Sequence, residues 1–427
     1  MRNPYVTGGY VTDYKHYGRR ELIDHLLHGE GRAYLVVGNR RIGKTSLLRQ
    51  LELQAVSEGA LAPLYWDMQG GDTIERLGQY LADAVRDASP RFEALIGPSE
   101  TLPENDLLAA LALLRRAAMR SGKELLLLCD EAEALVRIVQ DAPEAAQRLH
   151  RQLTAAPGLR VVMTATRAVY QLHDVCCGWS TSPFLVGFDV SQTLGSLAPS
   201  DARALIRQTQ AETPVQVEPA IVDAISECTN DHPYLIQLLC ARLFQGEGWL
   251  RAINDDDLQV EPGLRGFFAN DFSSLTEADR RVVWAVYDAA VLEEKALQAT
   301  VEEHPAHLHQ RLRNLDSLGH LRRVYGQWAI GNQFLLSWLA TERSNLGALP
   351  AAVTSETSMR TALAVHQAQE ATFLIARLNA RRSRLVELEA QRARELLATS
   401  PQVLAEIAHL QDEITHLRRL VDEIRVA

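Results

Sequence analysis

The chain of 427 residues is 47% apolar and carries 44 Lys and Arg against 54 Asp and Glu, a net charge of −10. That length corresponds to about three domains, and no window nears the ~20 uninterrupted apolar residues of a membrane-spanning helix. The acidic excess argues against a main surface built for nucleic acid, which needs basic groups to displace phosphate counterions.

Met1 to Tyr17 has no apolar core and does not read as a secretion signal. The five cysteines, of which Cys176 and Cys177 are adjacent, make neither a disulfide framework nor a metal-ligand spacing. Thiols in a reducing cytoplasm are expected.

Tyr17-Gly18-Arg19-Arg20-Glu21 leads into a short apolar helical pattern, Leu22–Leu27. From about 31 to 190, apolar runs alternate with helical patterns. The runs are Ala33–Val37, Leu64–Trp66, Leu125–Cys129, Val161–Met163 and Phe184–Val186. Five such strands separated by helices predict a parallel five-stranded sheet with helices on both faces, an α/β domain over 1–195.

Residues 196–272 read as a helical domain in which Pro219 and Pro233 can open helices. Over 273–342 the spacing predicts helices Thr276–Ala290 and Pro305–Leu318, a hairpin of His320–Val324 and Gln327–Ile330 around Tyr325-Gly326, and a last helix. That is the outline of a winged helix. A linker is expected over 343–358. In 359–427, Val403, Ile407, Leu410, Ile414, Leu417, Val421 and Ile424 keep an unbroken heptad spacing. Ser400 and Pro401 can start that helix, and an interrupted seam through Leu374, Leu378, Leu385 and Leu388 precedes it. A C-terminal helical hairpin or coiled coil is predicted.

The strongest chemical signal is Gly38-Asn39-Arg40-Arg41-Ile42-Gly43-Lys44-Thr45, followed by Ser46. Its glycines permit a backbone wrap whose N–H groups face phosphate, with Lys44 reaching the β- and γ-phosphates and the Thr45 hydroxyl ligating Mg²⁺. The loop lies between the strand Ala33–Val37 and the amphipathic helix Thr45–Ser57, so a helix N-terminus also faces the phosphates. The apolar run Leu125–Cys129 ends in Asp130-Glu131. This pattern delivers Asp130 to the metal's surroundings and leaves Glu131 to polarise an attacking water. A third strand ends in Thr164-Ala165-Thr166-Arg167, whose guanidinium suits a γ-phosphate.

Together these features resemble the STAND clade of P-loop ATPases, which includes the NACHT and NB-ARC switches, and in flavour its prokaryotic "novel STAND" members. Tyr17-Gly18-Arg19-Arg20-Glu21 is similar to the clade's adenine-side motif, with an additional Arg20. Asn230-Asp231-His232-Pro233-Tyr234-Leu235 resembles its Gly-x-Pro motif, in which the proline lies over adenine. Here Asp231 stands where glycine is usual.

The resemblance covers about residues 4–340. It implies binding of ATP or ADP with Mg²⁺, and a switch that hydrolyses ATP slowly in a conflict or defence system. No sensor repeat and no effector constellation is present. The implied partner is therefore a separate effector or sensor protein, engaged through the winged helix or the C-terminal hairpin, with a homo-oligomer in one nucleotide state. The alternative is a DNA-binding ATPase resembling archaeal origin-recognition proteins, for which Arg311, Arg313, Arg322 and Arg323 speak. Asp316 and the net charge speak against it.

Overall fold

The computed structural model describes residues 2–97, 100–103, 105–176 and 183–347, with a few isolated positions between 385 and 419. Its centre is a parallel sheet of β1 (Ala33–Val37), β2 (Leu61–Asp67), β3 (Glu124–Asp130), β4 (Leu159–Ala165) and β5 (Asp189–Thr193), in the order β2-β3-β4-β1-β5. The centres of β1, β3 and β4 are runs of Val, Leu and Met because both sheet faces are covered.

One face carries Leu35, Leu64, Leu127 and Met163 into a large core beneath α3 (Ile74–Asp87), α5 (Leu107–Arg120), α6 (Leu135–Asp141) and α7 (Pro143–Ala155). The other turns Val36, Leu128 and Val162 toward α1 (Arg20–His28) and α2 (Lys44–Glu58). The short α4 (Ser89–Ile96) and α8 (Gln171–Val175) complete the helices of this part.

The fifth strand differs from the sequence expectation. Phe184 is fully buried and stacks with Phe188 at 6.5 Å, so it plugs the core, while Val186 is exposed and the run Phe184–Val186 does not join the sheet. The strand is the polar Asp189–Thr193, which pairs with β1 alone at the sheet edge. An edge strand with exposed Asp189, Gln192 and Thr193 needs no apolar run.

Two compact units divide the chain. The first comprises the described residues to Glu277, with Gln310–Leu321 and Gly331–Leu335. It includes α9 (Pro199–Arg207), α10 (Pro219–Thr229), α11 (Pro233–Leu243) and α12 (Pro262–Ser273). Proline is the first residue of each, where its missing N–H costs nothing. Short strands β6 (Phe244–Gln245) and β7 (Trp249–Leu250) follow α11.

The second unit comprises Ala278–His309, Arg322–Ile330 and the described residues from Leu336 onward. The elements from 277 on are α13 (Glu277–Ala289), β8 (Val291–Leu292), α14 (Glu294–Val301), α15 (Pro305–Ser317), β9 (Leu321–Val324), β10 (Gln327–Ile330) and α16 (Gln333–Gly347). The three short strands form a sheet in the order β8-β10-β9. Tyr325 and Gly326 turn the hairpin with φ of 49° and 85°, the left-handed pair that a tight hairpin turn requires. The predicted C-terminal hairpin lies outside the described residues apart from isolated positions. No described helix is long and apolar enough to cross a membrane.

Candidate functional site

The register of the sheet brings the predicted residues together. Val37 pairs with Ala165, and Cys129 pairs with Met163, so β1, β3 and β4 end at one level. Gly38, Asp130 and Thr164–Thr166 therefore meet at the carboxyl ends of the strands, where ligands of open α/β sheets bind.

Gly38 hydrogen-bonds to the Ala165 carbonyl at 3.1 Å. A Cβ there would come within 2.8 Å of both Ile42 and the Leu194 carbonyl, so only glycine fits. Gly43 has φ of 104°, which hands the loop to α2 with Lys44 as the first helical residue. The Lys44 side chain is buried and donates from Nζ to the carbonyls of Gly38 and Asn39 at 3.1 Å each.

Asp130 is 2% exposed and accepts four hydrogen bonds. Thr45 Oγ1 donates to Oδ2 at 2.6 Å and the Tyr65 hydroxyl at 3.0 Å. Thr164 Oγ1 and the Glu131 N–H (3.1 Å) donate to Oδ1. These four donors fix the orientation of this carboxyl.

Glu131 leaves the strand in the left-handed region at φ of 55° and lines the cleft. Burial, and then the neighbouring Glu133, push its carboxyl up to about 7, while Lys44 pulls the other way. Glu133 accepts from the Thr166 N–H at 3.2 Å and from its hydroxyl at 2.8 Å, clamping the end of β4 to the acid turn. Arg167 opens the single turn Arg167–Tyr170 and is not among the cleft-lining residues.

The cleft has a volume of about 730 Å³, within the usual range for small-molecule sites. Its lining joins the phosphate loop to the N-terminal segment, α11 and α12. The N-terminal segment is a strap fastened at both ends. Asn3 Nδ2 donates to the Ala241 carbonyl at 3.0 Å, the Tyr5 hydroxyl to the Ile206 carbonyl, and the Val6 N–H to Gln237 Oε1 at 3.0 Å. Across the cleft, the Val11 N–H donates to Ser46 Oγ at 3.1 Å and the Asp13 N–H to Gln50 Oε1 at 2.8 Å. Gly8 and Gly9 lie between, along the cleft.

Gly18 and Arg19 both have left-handed backbones, with φ of 75° and 66°. Arg19 donates to the Ser196 carbonyl at 3.1 Å and to the Gly195 carbonyl. Burial lowers it to about 10, so it stays cationic at neutral pH. Tyr17 is buried, accepts from the Gln210 N–H at 3.1 Å and lines the cleft. Asp231 takes φ of 55°, the backbone that glycine would adopt, while its carboxylate accepts from Ser226 Oγ at 2.6 Å. The substitution thus preserves the turn that sets Pro233 on the cleft wall. The Tyr234 ring lies 4.5 Å from the Arg41 guanidinium.

Other residues at the site carry no local sequence signal. Asp271 on α12 is buried and accepts from the Arg40 N–H at 3.4 Å, and burial pushes it up to about 7. Asn39 Nδ2 donates to the Leu318 carbonyl at 2.9 Å and lies 3.2 Å from His320 Nε2. Glu133 could have been noticed, since Asp130-Glu131-Ala132-Glu133 spaces its acids closely. Tyr65, Asp271, Gln237 and His320 could not, because only tertiary folding brings them in.

The donor set tests the fit of Mg²⁺. A hydroxyl and a carboxylate 2.6 Å apart at a phosphate loop are the hard oxygen donors this ion takes alongside phosphates and water. The described residues contain no group of three or more His, Cys, Asp or Glu suited to an all-protein metal cage.

Comparison with known proteins agrees with this geometry. A Walker-type ATPase of Pyrococcus abyssi aligns over 78% of this chain and 98% of its own, with a TM-score of 0.57 at 15% identity. The ORC2 protein of Aeropyrum pernix in its ADPNP–ADP complexes aligns over 77% of this chain and 93% of its own, at 14% identity and a TM-score of 0.44. The Thermotoga maritima RuvB Holliday junction branch migration motor aligns over 78% and 96%, at 15% identity and a TM-score of 0.33. The first shares the fold. No curated protein matches the chain. The sequence profile of novel STAND NTPase 1 matches residues 12–261. Phosphate loop, acid pair and family profile thus converge, and the chain belongs to the novel STAND NTPase 1 family.

Proposed function

We propose that the protein is an ATP-dependent switch that binds ATP with Mg²⁺ in the cleft and hydrolyses it slowly. In this reading, the difference between nucleotide states governs assembly with a partner protein of a prokaryotic conflict or defence system. The observation that carries the proposal is the charge of the cleft. Lys15, Arg19, Arg40, Arg41 and Lys44 line it against the single carboxylate of Glu131, in a chain whose net charge is −10. A cationic cleft in an acidic protein is built for an anion, and the phosphate loop makes that anion a polyphosphate.

Lys44, now bonded to loop carbonyls, would turn to the β- and γ-phosphate oxygens. Thr45 and Asp130 would hold Mg²⁺, which when bound neutralises charge on those phosphates. Glu131 would take the proton of the attacking water. A response reaches beyond the cleft through Asn39, because Leu318 and His320, which it touches, immediately precede β9. Swinging a two-state equilibrium from 1:99 to 99:1 takes about 5.5 kcal/mol. A few charge-assisted hydrogen bonds, at roughly 1.5–3 kcal/mol each, are of that order.

The element order of α13–α16 with the β9–β10 hairpin supports reading this region as a winged helix that contacts protein. Two of the arginines that a DNA reading needs are engaged locally. Arg311 donates to Thr276 Oγ1 at 3.3 Å, and Arg323 lies 3.8 Å from Glu294. Of the C-terminal seam, Ile407 and Ile414 are buried, whereas Gln411, Thr415, Arg418 and Arg419 are exposed. That pattern suits a helix with one covered stripe.

Size-exclusion chromatography of the whole chain with ADP and with a non-hydrolysable ATP analogue tests the switch. Two different elution volumes are expected, and deleting residues 357–427 should abolish the difference without loss of nucleotide binding. Identical elution in both nucleotides would refute the proposal.

A further inference from the structure

Gln237 lines the cleft with an amide of which one end is hydrogen-bonded. It follows Pro233 by four positions on α11, so the two share a helix face, and both line the cleft. The side chain is 7% exposed. Its Oε1 accepts from the Val6 N–H at 3.0 Å, and because a backbone N–H can only donate, this bond fixes which end of the amide is oxygen. The Nε2 end makes no hydrogen bond among the described residues. Nor is it among the enclosed polar atoms that lack partners, so it keeps access to solvent, and Gln237 lines the cleft.

The wall around it is apolar and aromatic, with Leu197, Leu205, Pro233 and Phe267. Such a wall takes a flat heteroaromatic ring. An amide that offers a donor beside an oxygen with a spare lone pair complements adenine, whose N6 amino group donates next to an accepting ring nitrogen. Guanine and hypoxanthine put an oxygen at the same position, where it would face the Gln237 oxygen.

We propose that Gln237 reads the purine and makes the site select adenine over 6-oxopurines. The inference rests on the nucleotide site proposed above and adds the residue that chooses the base. Val6 orients the amide, so the strap contributes by positioning it.

The test compares equilibrium binding of ADP, GDP and inosine diphosphate to the whole chain by calorimetry. The wild type should favour ADP by about tenfold or more over both 6-oxopurines, the discrimination expected of one bidentate contact. Gln237→Glu keeps an oxygen for the Val6 N–H and exchanges the donor for an acceptor. The added charge weakens both nucleotides alike, so ADP affinity should fall about tenfold more than GDP affinity, with the melting temperature unchanged. Equal weakening of ADP and GDP would mean that Gln237 only anchors the strap, and an unchanged ratio would also overturn the inference. Should Gln237→Glu fold poorly, the wild-type series decides, since parity between ADP and inosine diphosphate refutes base reading at the 6-position. If the wild type binds no diphosphate at all, the nucleotide reading itself has failed, a result distinct from binding without selectivity.

Discussion

The Tyr65 hydroxyl donates to Asp130 Oδ2 at 3.0 Å, the same oxygen that accepts from Thr45. The Tyr65 ring lies 3.5 Å from the Arg49 guanidinium, which holds the phenol in place. Tyr65→Phe keeps the ring and removes the donor, a loss of about 1 kcal/mol. Nucleotide affinity measured against Mg²⁺ concentration should shift about 3- to 10-fold toward higher Mg²⁺, while affinity without Mg²⁺ stays constant. A uniform loss at all Mg²⁺ concentrations would show that Tyr65 acts on folding and not on Asp130.

Lys44 is buried by the loop it serves, with two carbonyls as its partners. Lys44→Ala should lower ATP affinity by about 100-fold or more, the value of two charge-assisted hydrogen bonds. The circular dichroism spectrum should not change, because Gly43 precedes α2 as its cap and the helix needs no side chain from Lys44. Wild-type affinity in the variant would rule out the phosphate-loop assignment.

Glu131→Gln should bind ATP at least as well as the wild type and hydrolyse it at least about 100-fold more slowly, as expected for loss of a general base. With the carboxyl pushed up to about 7, the base form is scarce at pH 6 and dominant at pH 8. Single-turnover hydrolysis should therefore rise across that interval and level off above it. The stability effect has the opposite sign. A carboxyl raised in the folded state binds more protons there than when unfolded, so its contribution is lost as pH climbs from about 4.5 to 7. A flat rate profile in the wild type would remove Glu131 from the proton transfer.

Asp271 places a carboxylate on the Arg40 N–H, one of the loop amides that would otherwise be free for phosphate. Asp271→Asn keeps an accepting oxygen and removes the charge. ATP should bind about 3- to 10-fold more tightly to the variant at pH 8, where the wild-type acid is ionised, given how one nearby charge acts in a partly buried site. At pH 6 the difference should nearly vanish, because a group raised to about 7 is then mostly neutral. Equal affinities at pH 8 would show that this charge does not reach the phosphates.

What could be read from the sequence depended on whether the cause was local. The central strands β1, β3 and β4 announce themselves because burial on both faces demands apolar runs at their centres. The edge strand β5 does not, and the nearby Phe184–Val186 run misleads because Phe184 is a core plug beside His150 and Phe188. The phosphate loop and Asp130-Glu131 are contiguous and therefore legible. Tyr65 reaches Asp130 only because β2 pairs with β3 in the register Asp67 to Asp130, which no spacing in the chain reveals. The motif around Pro233 was partly hidden for another reason. Its glycine position is a demand for a backbone angle, and Asp231 meets that demand at φ of 55°.

The strap across the cleft is a tether of fixed reach. From Val6 to Val11 it spans five residue steps, at most about 18 Å when fully drawn out. Gln237 and Ser46, the side chains that moor its two ends, cannot part much further than this unless a hydrogen bond breaks. A ligand that needs a wider mouth must wait for one mooring to slip, and each is a neutral bond with a net value of about 1 kcal/mol. Release then becomes unlatching followed by opening, so the residence time of a bound nucleotide would be adjustable at Gln237 and Ser46 without altering any group that touches phosphate.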